Sequence, residues 1–214
     1  MAEPITTLSD YAIALECLLF AGLLLGRGWV ERLWAIAFGS VGGAAFLGGT
    51  IHGFSAVLTG DHHLWLWKGM LLALAIASFV ILAAAAVPFR RRVRLGLLVL
   101  AIAKLALVTR QVVSPWAFAI SVADYLSALV VVFLMQLGQS RRQSSRCPRE
   151  QFNPDPAWLG AGIVTSGLAA SVLVIPWPQT LAISPLAGYH LVQMVALYCI
   201  YRAVPARSQG QNGP

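Results

Sequence analysis

Seven long apolar stretches, separated by short polar segments, run through the chain and restrict it to one class of fold. A helix needs about 20 mostly apolar residues to cross the hydrocarbon core of a bilayer. The stretches lack the two-residue alternation of a membrane barrel, so we predict an all-α, polytopic membrane protein with a seven-helix bundle. The predicted transmembrane helices are residues 9–26, 33–59, 64–87, 93–113, 115–137, 158–176 and 182–204.

The composition excludes the soluble classes of protein. Hydrophobic residues make up 58% of the chain and charged residues only 11%, whereas a soluble domain carries roughly 25% charged residues. The net charge of +7 does not indicate nucleic-acid binding, because the basic residues stand in short clusters between apolar stretches. We therefore expect the lipid bilayer, and no nucleic acid, as a partner; the pattern does not specify an oligomeric state.

The basic residues also predict the orientation of the bundle. Cytoplasmic loops of membrane proteins carry an excess of Lys and Arg. Twelve of the 15 basic residues fall between spans one and two, three and four, and five and six, or follow span seven. This alternation predicts an external N-terminus, a cytoplasmic C-terminus and a location in the cytoplasmic (inner) membrane, which we take to be that of a bacterium.

We expect one transmembrane domain over residues 1–207. Residues 139–156 are polar, basic and contain prolines, which is typical of a solvated cytoplasmic linker. Residues 208–214 are typical of a disordered tail. The first span is expected to be a retained helix rather than a signal peptide, because Glu3 and Asp10 precede or begin it and no basic residue does.

Five ionisable residues lie well inside the predicted spans, where each charge costs about 2.5–3.5 kcal/mol to insert. Counted from the outer ends of the helices at about 1.5 Å per residue, all five lie roughly 10–15 Å deep. This common depth predicts one buried polar site in the outer half of the bilayer. The five are Glu16, His52, Lys104, Asp124 and His190.

Small residues dominate the second span, where Gly39 and Gly43, and again Gly49 and Gly53, stand four apart. Such faces let two helices approach closely in a membrane. They also leave room for a cavity beside His52, whose helix face carries Ala45, Gly48 and Gly49. Both interpretations are compatible with the sequence.

Three short segments carry a resemblance to a known superfamily. They are Gly48-Gly-Thr-Ile-His52 in the second span, Asp61 nine residues later, and His190-Leu-Val-Gln-Met194 in the seventh. In layout and in these positions the chain resembles the seven-helix membrane hydrolases that include the alkaline ceramidases and the progestin and adipoQ receptors. Those proteins have Ser-x-x-x-His on the second helix, Asp near the start of the third and His-x-x-x-His on the seventh.

The resemblance implies a zinc ion that activates water to hydrolyse a lipid amide, with His52 and His190 as two of its ligands. Gly48 stands where the superfamily has serine, and Met194 stands where it has the last histidine. A carboxylate such as Glu16 is chemically suited to be the third ligand. In this hypothesis Asp124, Glu16 or Asp61 is the general base, and Lys104 holds the substrate or a counter-charge.

Other functions remain open at this point. Lys104 could instead form a structural ion pair with Asp124 or Glu16, and each histidine could be a hydrogen-bonded core residue. His52 and His190 could also hold one haem between helices two and seven. The leading hypothesis is a metal-assisted lipid hydrolase; the alternatives are a proton- or ion-coupled transporter or sensor, and a structural subunit that packs through the glycine-rich helix.

Overall fold

The computed structural model describes residues 3–143, 155–174 and 184–204, and these residues are all-helical. They form seven helices, and each one coincides with a predicted span. The predicted tail at 208–214, and residues 144–154 of the predicted linker, lie outside the described residues. The helices are α1 (Pro4–Leu25), α2 (Trp29–Phe54), α3 (Gly60–Ala86), α4 (Arg91–Gln111), α5 (Ala117–Gln143), α6 (Pro156–Val172) and α7 (Pro185–Ala203).

Local sequence explains where several of these helices begin. Proline, which has no N–H to leave unpaired, stands in the first turn of α1, α6 and α7. The side chains of Asp155 and Ser184 accept hydrogen bonds from Ala157 N and Ala187 N, at 2.9 and 3.1 Å, and so cap α6 and α7. The C-terminal end of α5 lies at Gln143, beyond the expected end of this span at residue 137. The start of the predicted linker is therefore helical.

Four of the described helices are long and apolar enough to cross a membrane: Pro4–Leu25, Trp29–Phe54, Gly60–Ala86 and the Ala117–Gly138 part of α5. Helix α6 is apolar but has only 17 residues. Helix α4 carries Lys104 and four arginines, which lower its hydropathy. The prediction of a helical membrane protein is thus confirmed at the level of the fold and of these four helices.

Six helices form a closed ring. The neighbours around it are α1, α2, α3, α5, α6 and α7, with α7 returning to α1, while α4 packs outside the ring against α3 and α5. This arrangement encloses space along the axis of the ring. An apolar core fills the half that holds the C-terminal end of α1, with Leu24, Trp34, Ile81 and Ile200 almost completely buried. The half that holds the N-terminal end of α1 contains the cavity described below.

Helix α1 has the polarity of a membrane helix. Its inward residues Thr6, Thr7 and Asp10 are at least 95% buried, whereas the outward residues Leu8 and Leu15 are 62% and 71% exposed. In a soluble protein the apolar face of a helix turns towards the core. The reversed pattern in these first turns matches a helix that turns polar side chains towards polar partners in the interior, here Ser184 and His190, and apolar side chains towards lipid.

Candidate functional site

The imidazole of His190 on α7 is held by two consecutive residues of α1. Its Nδ1 lies 2.8 Å from Ser9 Oγ, and its Nε2 lies 3.2 Å from Oδ1 of Asp10. All three side chains are buried, and the side chains of His190 and Asp10 are each 7% exposed. Because both ring nitrogens have protein partners, the orientation of the imidazole is fixed.

A proton lies between His190 and Asp10 in each arrangement that satisfies these contacts. Ser9 Oγ is 2.8 Å from Thr6 O as well as from Nδ1, and its single proton goes to one of them. If Thr6 O accepts it, Nδ1–H donates to Ser9, and the imidazole and carboxyl share one further proton between Nε2 and Oδ1. If Nδ1 accepts it, the imidazole carries its proton on Nε2 and donates it to the Asp10 carboxylate. The pair therefore has a net charge of zero or minus one.

Asp10 and His190 line a cavity of about 340 Å³ inside the ring. This volume is within the range of small-molecule sites, roughly 300–1,000 Å³. All six ring helices contribute to its wall and α4 does not. Most of the wall is apolar, with Val41, Ala44, Ala45, Met70, Leu74 and Leu126 among its residues.

A few polar side chains interrupt the apolar wall. The aromatic residues Tyr125 and Tyr189 both line the cavity, as do Gln193 and Ser166, whose amide Nε2 and hydroxyl lie 3.5 Å apart. Tyr189 also packs against the His190 ring, with 5.3 Å between the ring centroids. An apolar cavity with few convergent polar groups is the usual form of a binding site for a small organic molecule.

Glycines of α2 make the contact with α1 possible. A Cβ at Gly49 would lie 2.9 Å from Asp10 Cβ, and one at Gly53 would lie 2.9 Å from Thr7 Cγ2, so any larger residue would push α1 away. Gly48 lines the cavity beside this contact. The predicted packing role thus holds for Gly49 and Gly53, and the cavity role for Gly48. Gly39 and Gly43 have no atom within 4 Å of a Cβ position and do not serve packing.

The end of the cavity nearer the N-terminal end of α1 is polar and aromatic. Nδ1 of His52, a residue that also lines the cavity, lies 3.5 Å from Oε2 of Glu3. The two side chains are 30% and 55% exposed, so this pair is open to its surroundings. Trp67 and Phe118 face one another across the α3–α5 side, with 6.3 Å between ring centroids.

The end of the cavity nearer the apolar core is followed by a cluster of aromatic side chains that we call the aromatic plug, composed of Phe20, Phe38 and Tyr201. Phe20 stacks on Tyr201 with 4.4 Å between centroids, and Phe38 meets both rings edge-on. None of the three lines the cavity. On α1, α2 and α7 the plug residues lie further towards the opposite end of the described bundle than the lining residues Ile13, Val41 and Leu197.

Of the five ionisable residues predicted to share one site, only His52 and His190 line the cavity. Lys104 and Asp124 form an ion pair between α4 and α5. This is the structural role that the sequence left open as an alternative. Lys104 Nζ lies 3.2 Å from Asp124 Oδ1 and donates to Asp124 O at 2.8 Å and Ser127 Oγ at 2.6 Å. With its donors used in this way, Lys104 fastens α4 to the ring.

The remaining predicted carboxylates also lie away from the cavity wall. Glu16 is half-buried on α1, and its Oε2 has no hydrogen-bond partner among the described residues. Asp61 is exposed in the first turn of α3. The structure therefore does not bring Glu16, Asp61, Asp124 or Lys104 to the residues that surround His190.

Sequence reasoning missed Ser9 and Asp10 because it began the first span at residue 9, which set both residues at its edge. The helix begins at Pro4, so Asp10 lies in its second turn and is 5% exposed. The signal was available, since Pro4 favours a helix start. Glu31 was missed in the same way: the second span was predicted from residue 33, whereas α2 begins at Trp29 and buries Glu31 completely.

The zinc site implied by the resemblance does not fit the described side chains. A zinc site needs at least three protein ligands, and no group of three His, Cys, Asp or Glu suited to a metal occurs in the described part of the chain. Both ring nitrogens of His190 already have partners in Ser9 and Asp10. We therefore derive no chemistry through a metal from this arrangement.

Comparison with known proteins places the chain in a family but assigns it no activity. No curated protein and no solved structure matches it. The sequence profile of DUF6962, a family of unknown function, matches residues 5–209 of the 214, and the chain therefore belongs to this family.

Proposed function

We propose that this protein crosses the cytoplasmic membrane seven times and binds a small, mainly apolar molecule in the cavity, where Asp10 and His190 exchange a proton with it. The observation that carries this proposal is the buried Asp10–His190 pair on the wall of a cavity of about 340 Å³. A proton-sharing pair in a largely apolar pocket is the kind of group that acid–base chemistry uses.

The seven crossings and the orientation rest on two arguments. Each of the seven helices packs against the next one along the chain, and α7 packs against α1, so the bundle is continuous. Nine of the basic residues that the structure describes lie in or beside the helix ends opposite the cavity, which the positive-inside rule assigns to the cytoplasm. They are Arg27, Arg32, Arg90, Arg91, Arg92, Arg94, Arg141, Arg142 and Arg202. In this orientation the cavity opens towards the outside.

Hydrolysis of an ester or amide is the reaction that we propose for the pair. Asp10 would take a proton from water on Oδ2 as the water attacks the carbonyl carbon, and would return it to the leaving group, while His190 stays hydrogen-bonded to Oδ1. The hydroxyl groups of Tyr125 or Tyr189 would donate to the carbonyl oxygen as it becomes negative. This version of the hydrolase hypothesis uses the resemblance only for the reaction class and needs no metal ligand.

A proton-coupled sensor is the second candidate, since the same pair would respond to ligand binding by exchanging a proton with its surroundings. Transport through the bundle is less well supported, because the aromatic plug of Phe20, Phe38 and Tyr201 lies between the cavity and the other end. Sensor and hydrolase share the binding step, so the first experiment addresses binding.

Photolabelling of the full chain in phosphatidylcholine nanodiscs tests this step. The probe is a neutral alkyl alcohol that carries a diazirine, and mass spectrometry maps the labelled residues. We expect label on cavity residues of α5 and α7, such as Tyr125 and Tyr189, in addition to the lipid-facing leucines. Gly48→Leu fills the cavity beside Asp10 and should remove the cavity label.

Gly43→Leu is the matched control, because a Cβ at this position would meet no atom within 4 Å and Gly43 does not line the cavity. It should leave the cavity label unchanged. Label confined to exposed lipid-facing residues in the wild type, or a Gly48→Leu variant that is labelled normally, would contradict the proposed function.

A further inference from the structure

The charges on the cavity wall restrict the ligand. Among the described residues that line the cavity there is no Lys or Arg; its ionisable side chains are Asp10, His52, His190 and two tyrosines. Lys68 follows the lining residue Trp67 in the sequence, but its ammonium group lies over the Trp65 ring, 5.3 Å from the centroid. Neither Lys68 nor Trp65 lines the cavity. An anionic headgroup would thus find no fixed positive charge in the wall.

One oxygen of Asp10 is available as an acceptor. Oδ1 is used by His190, whereas Oδ2 is buried and has no hydrogen-bond partner among the described residues. A buried carboxylate oxygen without a donor destabilises the folded chain, because it has lost its hydrogen bonds to water and gained none from the protein. A ligand that donates a hydrogen bond to it would remove this cost.

Gly48 lies beside this oxygen on the cavity wall. A Cβ there would stand 3.6 Å from Oδ1 and 3.7 Å from Oδ2 of Asp10, so a larger side chain would cover the carboxylate from the α2 side. With glycine at this position, the carboxylate faces the cavity that both residues line.

Aromatic rings surround the same space. Trp67, Phe118, Tyr125 and Tyr189 all line the cavity. Aromatic faces attract ammonium groups and carry no preference for anions. The tyrosine hydroxyl groups can also accept hydrogen bonds from a ligand.

We propose that the ligand of this cavity carries a hydrogen-bond-donating, neutral or cationic head, an amine or a hydroxyl group, that binds Asp10, and that carboxylate- or phosphate-headed lipids are excluded. This inference rests on the proposed function and specifies its substrate class. At about 340 Å³ the cavity suits one short chain or a compact ring system rather than a two-chain phospholipid.

Competition against the photolabel tests the inference with three compounds that share one carbon skeleton: 4-phenylbutylamine, 4-phenylbutanol and 4-phenylbutanoate. The nanodiscs contain only zwitterionic phosphatidylcholine, so that the membrane surface does not concentrate the amine. We expect the amine to suppress cavity labelling at a concentration at least tenfold below that of the carboxylate, with the alcohol between them.

Two variants assign the preference to Asp10. Asp10→Asn should bring the amine-to-carboxylate ratio close to one, whereas Asp61→Asn, which removes an exposed carboxylate at the same end of the bundle, should leave the ratio unchanged. If Asp10→Asn does not fold, the wild-type ranking decides the question: an amine that is no more effective than the carboxylate would overturn the inference.

The outcomes separate the two proposals. Cavity labelling that the carboxylate suppresses as well as the amine does would overturn the inference and leave the proposed function standing. Cavity labelling with a normal ratio in a folded Asp10→Asn variant would also overturn the inference. No cavity labelling in the wild type would overturn both.

Discussion

Nε2 of His190 lies 3.2 Å from Oδ1 of Asp10, across the junction where the last helix of the ring meets the first. Residues 180 positions apart in the chain thus share a proton inside an otherwise apolar bundle. The contact depends on Gly49 and Gly53 of α2, which let α1 approach closely enough for Asp10 to turn inwards. The site and the closure of the ring are therefore one structural feature.

Replacement of His190 should destabilise the bundle more than replacement of His52. His190→Ala leaves Asp10 buried without its partner, which costs about 1–3 kcal/mol, whereas Ser9 keeps its hydrogen bond to Thr6 O. His52→Ala breaks a half-exposed pair with Glu3, and such pairs contribute about 0–1 kcal/mol. Thermal unfolding of both variants in nanodiscs measures the difference. Equal losses of stability would show that the Asp10–His190 contact is not formed.

The glycines of α2 provide a second test. Gly49→Ala introduces a Cβ at 2.9 Å from Asp10 Cβ and from Tyr11 Cε1, so it should cost about 1–3 kcal/mol by overpacking. Gly43→Ala meets no atom within 4 Å and should be neutral or slightly stabilising. The melting temperatures of the two variants, compared in the same nanodiscs, check this. A Gly49→Ala variant as stable as Gly43→Ala would argue against close packing of α1 on α2.

The sequence predicted the helices well because membrane insertion requires long apolar stretches, which are readable without tertiary information. The site was harder to predict, because depth in the membrane does not specify rotation about a helix axis. Asp124 has the depth expected of a site residue, yet its carboxylate points to Lys104 on α4 while the next residue, Tyr125, lines the cavity. Which residue faces the axis is decided by packing between helices that are distant in the chain.

The ends of the helices were the second source of error. Asp10 and Glu31 both lie within two turns of a helix start, where hydropathy alone assigns residues to the loop. Both are almost fully buried. With Pro4 taken as the start of α1, Asp10 would have been among the predicted intramembrane carboxylates.

The Lys104–Asp124 pair should stabilise the protein without taking part in ligand binding. Lys104→Met and Asp124→Asn each leave the other member of the ion pair without its partner. The double variant should therefore be more stable than the sum of the two single losses of unfolding free energy predicts. A double-mutant cycle on thermal unfolding should give a coupling energy of about 0.5–3 kcal/mol. Photolabelling of the cavity should be unchanged in all three variants. A lost cavity label in a folded Lys104→Met variant would implicate the pair in the site.

The seven crossings that we propose predict the accessibility of introduced cysteines. In a Cys147→Ser background the remaining cysteines, Cys17 and Cys199, are buried. Val57 and Val113 are 76% and 79% exposed at the cavity end, so cysteines there should react with a membrane-impermeant maleimide on intact cells. Arg90→Cys should react only after permeabilisation. Labelling of Val57→Cys without labelling of Val113→Cys would mean that α4 does not cross the membrane.

Elemental analysis separates the two versions of the hydrolase hypothesis. The resemblance implies zinc on His52 and His190, but His190 uses both ring nitrogens for Ser9 and Asp10, and the described residues bring no third ligand to the pair. We therefore expect the detergent-purified chain to contain far less than one zinc per chain, and His52→Ala not to change this content. One zinc per chain, lost on both His52→Ala and His190→Ala, would instead require the His190 imidazole to exchange Ser9 or Asp10 for a metal. In that case the site would be a metal centre, and the acid–base role assigned to the Asp10–His190 pair would be wrong.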